Sequence, residues 1–161
     1  MSNLEKKVNL LVELALADDN TSREELKRAL RAQLEGEDPI VDKDSRLQEA
    51  VNVLLQRAGV PCGLTGHDYL VTAICEAVKN RALLRNMTGQ FYPYLAKVFN
   101  TTPNGIERCI RHAVETGWTR GDMTLIYEYF GNTVSHTKAK PTNREFIAQL
   151  ANHARKCWEE F

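Results

Sequence analysis

Apolar positions recur at three- and four-residue spacing along most of the chain, and that period predicts helices. Leu4, Val8, Leu11 and Ala15 share one stripe with Leu10 and Leu14 beside it, an apolar face broad enough to need a cover. Asp18-Asp19-Asn20 interrupts the pattern. Thr21 and Ser22 stand ahead of Glu24 and Glu25 at capping-box spacing and open a second helix with Leu26, Ala29, Leu30 and Leu34 on one side. Gly36-Glu37-Asp38-Pro39 ends it, and the polar, acidic segment Glu35–Asp44 reads as a linker. Ser45 and Gln48 then open a helix striped with Leu47, Ala50, Val51, Leu54, Leu55 and Ala58, which Gly59-Val60-Pro61 stops. A longer helix is predicted from about His67 to Leu84, carrying Leu70, Ala73, Ile74, Ala77 and Val78. After Trp118-Thr119-Arg120-Gly121, a short helix carries Met123, Ile126, Tyr127 and Phe130. Gly131–Lys140 reads as a loop, and Thr142 with Glu145 caps a last helix bearing Phe146, Ile147, Leu150 and Ala154. No strand pattern, repeat or low-complexity tract stands out. The expected architecture is all-α: a helical hairpin and linker over residues 1–45, then a compact bundle of about six helices over 46–161.

The stretch Tyr92–His112 reads as helix, tight turn, helix. Leu95, Ala96 and Phe99 form the buried side of the first helix; Ile106, Cys109, Ile110 and Ala113 form that of the second. Asn100 falls where a left-handed backbone is needed, Thr102 is placed to cap the second helix, and Pro103 suits its first turn. This is helix-turn-helix spacing of the DNA-binding kind. Asn104, Glu107, Arg108 and Arg111 lie off the buried stripe. Arg bridges guanine O6 and N7, Glu accepts from a cytosine amino group, and Asn reads adenine, so this face suits a major groove. Two readings of Glu107 stay open, base contact or an i,i+4 pair with Arg111.

Charge adds a division. The 161-residue chain is formally neutral, but residues 1–50 hold 8 Lys/Arg against 12 Asp/Glu, leaving 13 against 9 in residues 51–161. An acidic front and a mildly basic body fit either two regions with different partners or two ordinary solvated surfaces. Lys138, Lys140 and Arg144 put three positive charges beside a helix N-terminus; phosphate contact and a solvated loop both fit. Cys62, Cys75, Cys109 and Cys157 have no paired spacing, and with His67, His112, His136 and His153 they form no metal motif, so no metal or cofactor is expected. Trp118 reads as core. Thr65-Gly66-His67-Asp68 offers no nucleophile with a positioned base, so no enzymatic activity is expected. No apolar run is long enough to cross a bilayer and no cleavable signal begins the chain, which points to a cytoplasmic protein.

Three stretches carry a family resemblance: Gly59-Val60-Pro61 with the helix start at Gly66–Ile74; Phe99–Thr102 running through Ile106–Ala113 to Trp118-Thr119-Arg120-Gly121; and Phe130–Ala148, which includes Lys138-Ala139-Lys140-Pro141-Thr142-Asn143-Arg144-Glu145. Over about residues 46–156 the chain resembles the C-terminal effector domain of the stage zero sporulation protein A family of sporulation response regulators. The resemblance implies a compact six-helix domain that binds duplex DNA as a transcription regulator. It implies that Glu107 and Arg108 face bases, with Arg111 and His112 nearer the phosphates. It makes the helix from Asp122 to Phe130, with Leu125, Tyr127 and Phe130, the surface that touches the RNA polymerase sigma subunit. It also implies domains side by side on tandem sites.

There are departures. Gly105 stands where the family has a basic side chain one turn before Arg108. That removes a guanine contact worth roughly 1–3 kcal/mol of discrimination and weakens the helix by about 1 kcal/mol relative to Ala. Leu125, Tyr127, Glu128 and Tyr129 replace smaller polar residues in the sigma-contacting region. A family receiver domain, a doubly wound fold of about a hundred residues or more, does not fit within residues 1–45. The hairpin there needs to bury its face against the body, a partner or a second copy in a homodimer. The leading expectation is a receiver-less, sequence-specific DNA-binding regulator. The alternative is an interaction module or antagonist that pairs with a full-length regulator or with sigma.

Overall fold

Burial follows most of the predicted stripes. The structure, a computed structural model, describes residues 3–34, 43–131 and 140–159, and among these no strand occurs. The helices are α1 (Asn3–Leu16), α2 (Asn20–Leu34), α3 (Lys43–Arg57), α4 (Thr65–Lys79), α5 (Tyr92–Val98), α6 (Pro103–Arg120), α7 (Met123–Phe130) and α8 (Asn143–Glu159). A 3-10 turn at Arg81–Arg85 and a π turn at Met87–Phe91 join α4 to α5. The architecture is all-α, as the period predicts, and α3 to α8 supply six helices for the bundle.

α8 is central. It packs against α4, α3, α1, α6 and α7, while α4 also packs against α6 and α3. Leu54, Leu55, Leu70, Ile74, Leu95, Ile106, Ile110, Phe146 and Leu150 are fully buried where these helices meet. Each such side chain contributes about 1.5–3 kcal/mol of burial.

The α1–α2 hairpin buries its apolar face within the chain. Val8 and Val12 join the main core, and Leu11, Leu14 and Ala15 form a second cluster with Leu30 and Cys157. The Cys157 thiol donates to Leu11 O at 3.2 Å, tying α8 to α1. Of the covers open to this hairpin, the body of the same chain provides one.

Several element ends differ from the sequence expectation. The α2 cap is Asp19, whose carboxylate accepts from Ser22 N at 2.7 Å; Thr21 and Ser22 lie inside the helix. A carboxylate at a helix N-terminus gains from both the orphan amides and the macrodipole, and those amide bonds hold the Asp19 carboxyl below the usual range. α3 is already helical at Lys43, so Ser45 does not open it; Asp44 sits in its first turn and pairs with Lys79 of α4 at 3.0 Å. α4 stops at Lys79, five residues before the expected Leu84, because Asn80 turns extended and its side chain caps the next turn at Ala82 N. The Arg155 guanidinium of α8 donates to the released Ala77 and Val78 carbonyls. Residues 35–42 of the expected linker and 132–139 of the expected loop lie outside the described residues.

Glycine sets one close approach. A Cβ at Gly66 would lie 2.1 Å from Cys109 O and 2.8 Å from Ala113 Cβ, so α4 crosses α6 where only hydrogen fits.

Candidate nucleic-acid interface

α5 ends through a tight local turn. Asn100 takes φ 50°, and Thr101 N donates back to Ala96 O at 2.9 Å. The Thr102 hydroxyl accepts from Gly105 N at 3.1 Å and Pro103 fills the first turn of α6, so cap and turn form as the sequence predicts. Phe99 packs its ring on Tyr69 of α4 at 4.5 Å, fixing the turn to the body. Ile106, Ile110, Ala113, Val114 and Gly117 bury one side of α6, and Cys109 is half-buried at its margin.

The other side of α6 is open. Asn104, Arg108, Arg111 and His112 are exposed, and Glu107 is partly so. Glu107 Oε1 lies 3.2 Å from Arg111 Nη1, the i,i+4 pair that the spacing allows. The hairpin packs elsewhere: α1 lies on α3 and α8, and α2 lies on α1.

The start of α8 flanks this face. Thr142 and Glu145 form the expected capping box, Thr142 N donating to the Glu145 carboxylate at 2.8 Å and Glu145 N to the Thr142 hydroxyl at 3.2 Å. Asn143 joins three elements. Its amide donates to Glu107 O of α6 at 3.2 Å and to the Tyr92 hydroxyl of α5 at 3.1 Å. Burial pushes the Tyr92 phenol above its ordinary pKa, so it stays protonated.

Between α6 and α8 lies a cleft of about 520 Å³ lined by Glu107, Arg111, Glu115, Lys140, Thr142 and Arg144, among others. Lys140 Nζ sits 2.7 Å from Glu115 Oε1 and holds that carboxyl below the usual range. The structure thus brings Arg111, Lys140 and Arg144 to one cleft, with Asn104, Arg108 and His112 on the adjoining helix face. Lys138 lies outside the described residues. Asn143 and Glu115 belong to the same site and were not singled out from sequence. Asn143 directly follows the capping threonine, and Glu115 follows Arg111 by one turn; those are the only local signals.

α7 presents a different surface. Tyr127 is 57 % exposed and Met123 58 %, and Leu125 is half-buried. Phe130 is 2 % exposed, stacked on Phe146 at 5.4 Å with the Trp118 edge at 5.3 Å. This corrects the placement of Phe130 on a sigma-contacting face: it is a core side chain. Tyr129 is also core, packed on His153 at 5.6 Å. Trp118, expected in the core, packs against its edge.

A second cleft, of about 760 Å³, lies beside α7 and α8 and is lined by Arg81, Tyr129, Gln149, His153 and Lys156, among others. His67 is buried, with Nδ1 3.7 Å from the Asp68 carboxylate. Among the described residues no group of three or more His, Cys, Asp or Glu is placed to hold a metal, and no helix is long and apolar enough to cross a membrane. All four cysteines are free, and burial pushes the Cys75 thiol up to about 12.

Two helices joined by a tight turn, the second with an open face that carries both Arg and Glu, belong to a small all-α domain. The family model described as Sporulation initiation factor Spo0A C terminal matches residues 51–154, and the chain belongs to that family. It is a family of DNA-binding effector domains of a sporulation regulator. The match runs from within α3 to within α8 and includes the turn, α6 and the cleft.

Proposed function

We propose that the chain is a sequence-specific regulator of transcription that reads duplex DNA through α6 in the major groove. One observation carries this: the Asn104–Arg108–Arg111 face is open, clear of the hairpin, and continuous with a cleft holding Arg111, Lys140 and Arg144. Arg108 donates to guanine O6 and N7, and Asn104 reads adenine. Glu107 reaches a cytosine amino group once Arg111 swings to a phosphate. Arg111, His112, Lys140 and Arg144 take phosphates, aided by the N-terminus of α8; the sequence puts Lys138 beside them.

Selecting bound sites from a random duplex pool, then titrating variants against the selected and scrambled duplexes, tests this. Arg108→Ala flattens the preference between the two duplexes. Arg144→Ala weakens both alike and lowers the salt slope, and Lys140→Ala weakens both alike. An Arg108→Ala protein with its preference intact puts base recognition somewhere other than α6.

The exposed Met123 and Tyr127 on α7 favour a second role in contacting protein, with the sigma subunit or a full-length regulator as partner. Binding of such a partner without any sequence preference on DNA makes that the main function.

A further inference from the structure

The cations of the α6–α8 cleft are not idle while DNA is absent. Arg111 is paired with Glu107 at 3.2 Å and Lys140 with Glu115 at 2.7 Å, both carboxylates coming from α6 itself. Of the three cations lining the cleft, only Arg144 has no carboxylate partner among the described residues. Three positive charges are therefore offset by two negative ones within the same cleft of about 520 Å³.

Glu115 differs from Glu107. Glu107 lies near the start of α6, among the base-facing residues. Glu115 lies two turns further on, where a groove-docked helix meets backbone. Its side chain and that of Lys140 are 40 % and 51 % exposed, so the pair stands at the surface that a phosphate would approach.

We propose that Glu115 occupies, in the DNA-free protein, the place that a backbone phosphate takes in the complex, and so acts as an internal competitor for Lys140 that restrains sequence-independent binding. The inference rests on the DNA-binding function proposed above. When a phosphate engages Lys140, the released Glu115 carboxylate faces a like charge and recruits a cation from solution. That uptake cancels the counterion release which the lysine contact would otherwise give. Affinity then depends less on backbone charge and more on the bases that Arg108 reads.

The test is the full chain with Glu115→Gln, an isosteric change that removes the charge. Fluorescence anisotropy follows binding to a short labelled duplex of randomised sequence between about 50 and 200 mM salt. The variant binds about two- to fivefold more tightly at the low-salt end, the range set by an exposed ion pair, and its log–log salt slope steepens by about 0.9, one further phosphate. In Glu115→Gln/Lys140→Gln the gain disappears. Circular dichroism checks that all variants keep wild-type helicity.

Unchanged or weaker binding by Glu115→Gln, with wild-type binding intact, overturns the competitor role alone. So does a gain that persists without Lys140. A folded wild-type protein that binds no duplex at low salt removes the DNA-binding function, and this inference with it.

Discussion

Replacing Gly66 by Ala tests whether the α4–α6 crossing positions the open face of α6. The added Cβ would meet Cys109 O at 2.1 Å, Cys109 C at 2.7 Å and Ala113 Cβ at 2.8 Å. The first two are backbone atoms in the middle of α6, so no rotamer change relieves them. Carbon needs roughly 3.5 Å from such neighbours, so the helices must part by ~1 Å. Overpacking of this kind costs about 1–3 kcal/mol, and contact with backbone places it at the upper end. Gly66 lies in the first turn of α4, so Ala recovers less than the ~1 kcal/mol that it gains over Gly in a helix interior. The net expectation is a loss of about 2 kcal/mol, or roughly 4–8 °C in Tm for a chain of this length. Urea and thermal unfolding followed by circular dichroism measure it, with the urea m-value unchanged. The same variant binds DNA more weakly, because moving α6 against α8 strains the Asn143 bonds to Glu107 O and the Tyr92 hydroxyl. A Gly66→Ala protein as stable as wild type, or more so, refutes the close crossing as the reason for glycine here.

Phe130→Ala costs about 3–5 kcal/mol in urea unfolding, whereas Tyr127→Ala stays within about 0.5 kcal/mol of wild type; comparable losses at both would mean that α7 is rotated from the orientation described. Thr102→Ala loses the α6 cap and about 1 kcal/mol, read from the urea midpoint. Asp44 holds the Lys79 ammonium above its ordinary pKa, first through a hydrogen bond. The pair therefore stabilises fully below the unfolded lysine pKa and is lost as pH rises through the higher folded value. Asp44→Asn removes no more than about 1 kcal/mol at neutral pH, and this difference closes in the alkaline limb of a stability-versus-pH series. Asp19 and Glu115 have depressed pKa values, so their contributions are present above the unfolded carboxylate range and fade as pH falls through the folded values. Because Val8 and Val12 share a core with α3 to α8, tryptophan fluorescence and far-ultraviolet circular dichroism give coincident unfolding curves.

Local backbone chemistry could be read from the sequence in part: the helix starts expected at Thr21–Ser22 and Ser45 fall elsewhere, while those around α6 and α8 hold. Asn100 takes the left-handed backbone of the turn, and Thr102 and the Thr142–Glu145 box bond amides within a few residues, each as its spacing implies. What could not be read depends on distant partners. The end of α4 at Lys79 is supported by Arg155, more than seventy positions away, whose guanidinium takes the carbonyls that a longer helix would have used internally. α7 shows the limit most clearly. Met123, Ile126, Tyr127 and Phe130 all fit helical spacing, but Ile126, Tyr129 and Phe130 are the buried set. Two tyrosines two positions apart are chemically alike, and only Phe146, Trp118 and His153 decide which face of α7 turns inward. In the cleft, Asn143 and Lys140 meet α6 across 36 and 25 positions, so no periodicity within either helix reveals the site they make.

The acidic break after α2 interrupts the sequence pattern without interrupting the packing. The family match begins at Val51, within α3, and so excludes the hairpin. Yet Val8 and Val12 are as buried as Leu54 and Leu55, and Cys157 near the end of α8 donates to Leu11 O of α1. α8 is thus held at both ends: its start is bonded by Asn143 to α6, and its last turns are covered by α1. Any signal that altered the hairpin would act first on the far end of the helix whose near end forms one wall of the cationic cleft.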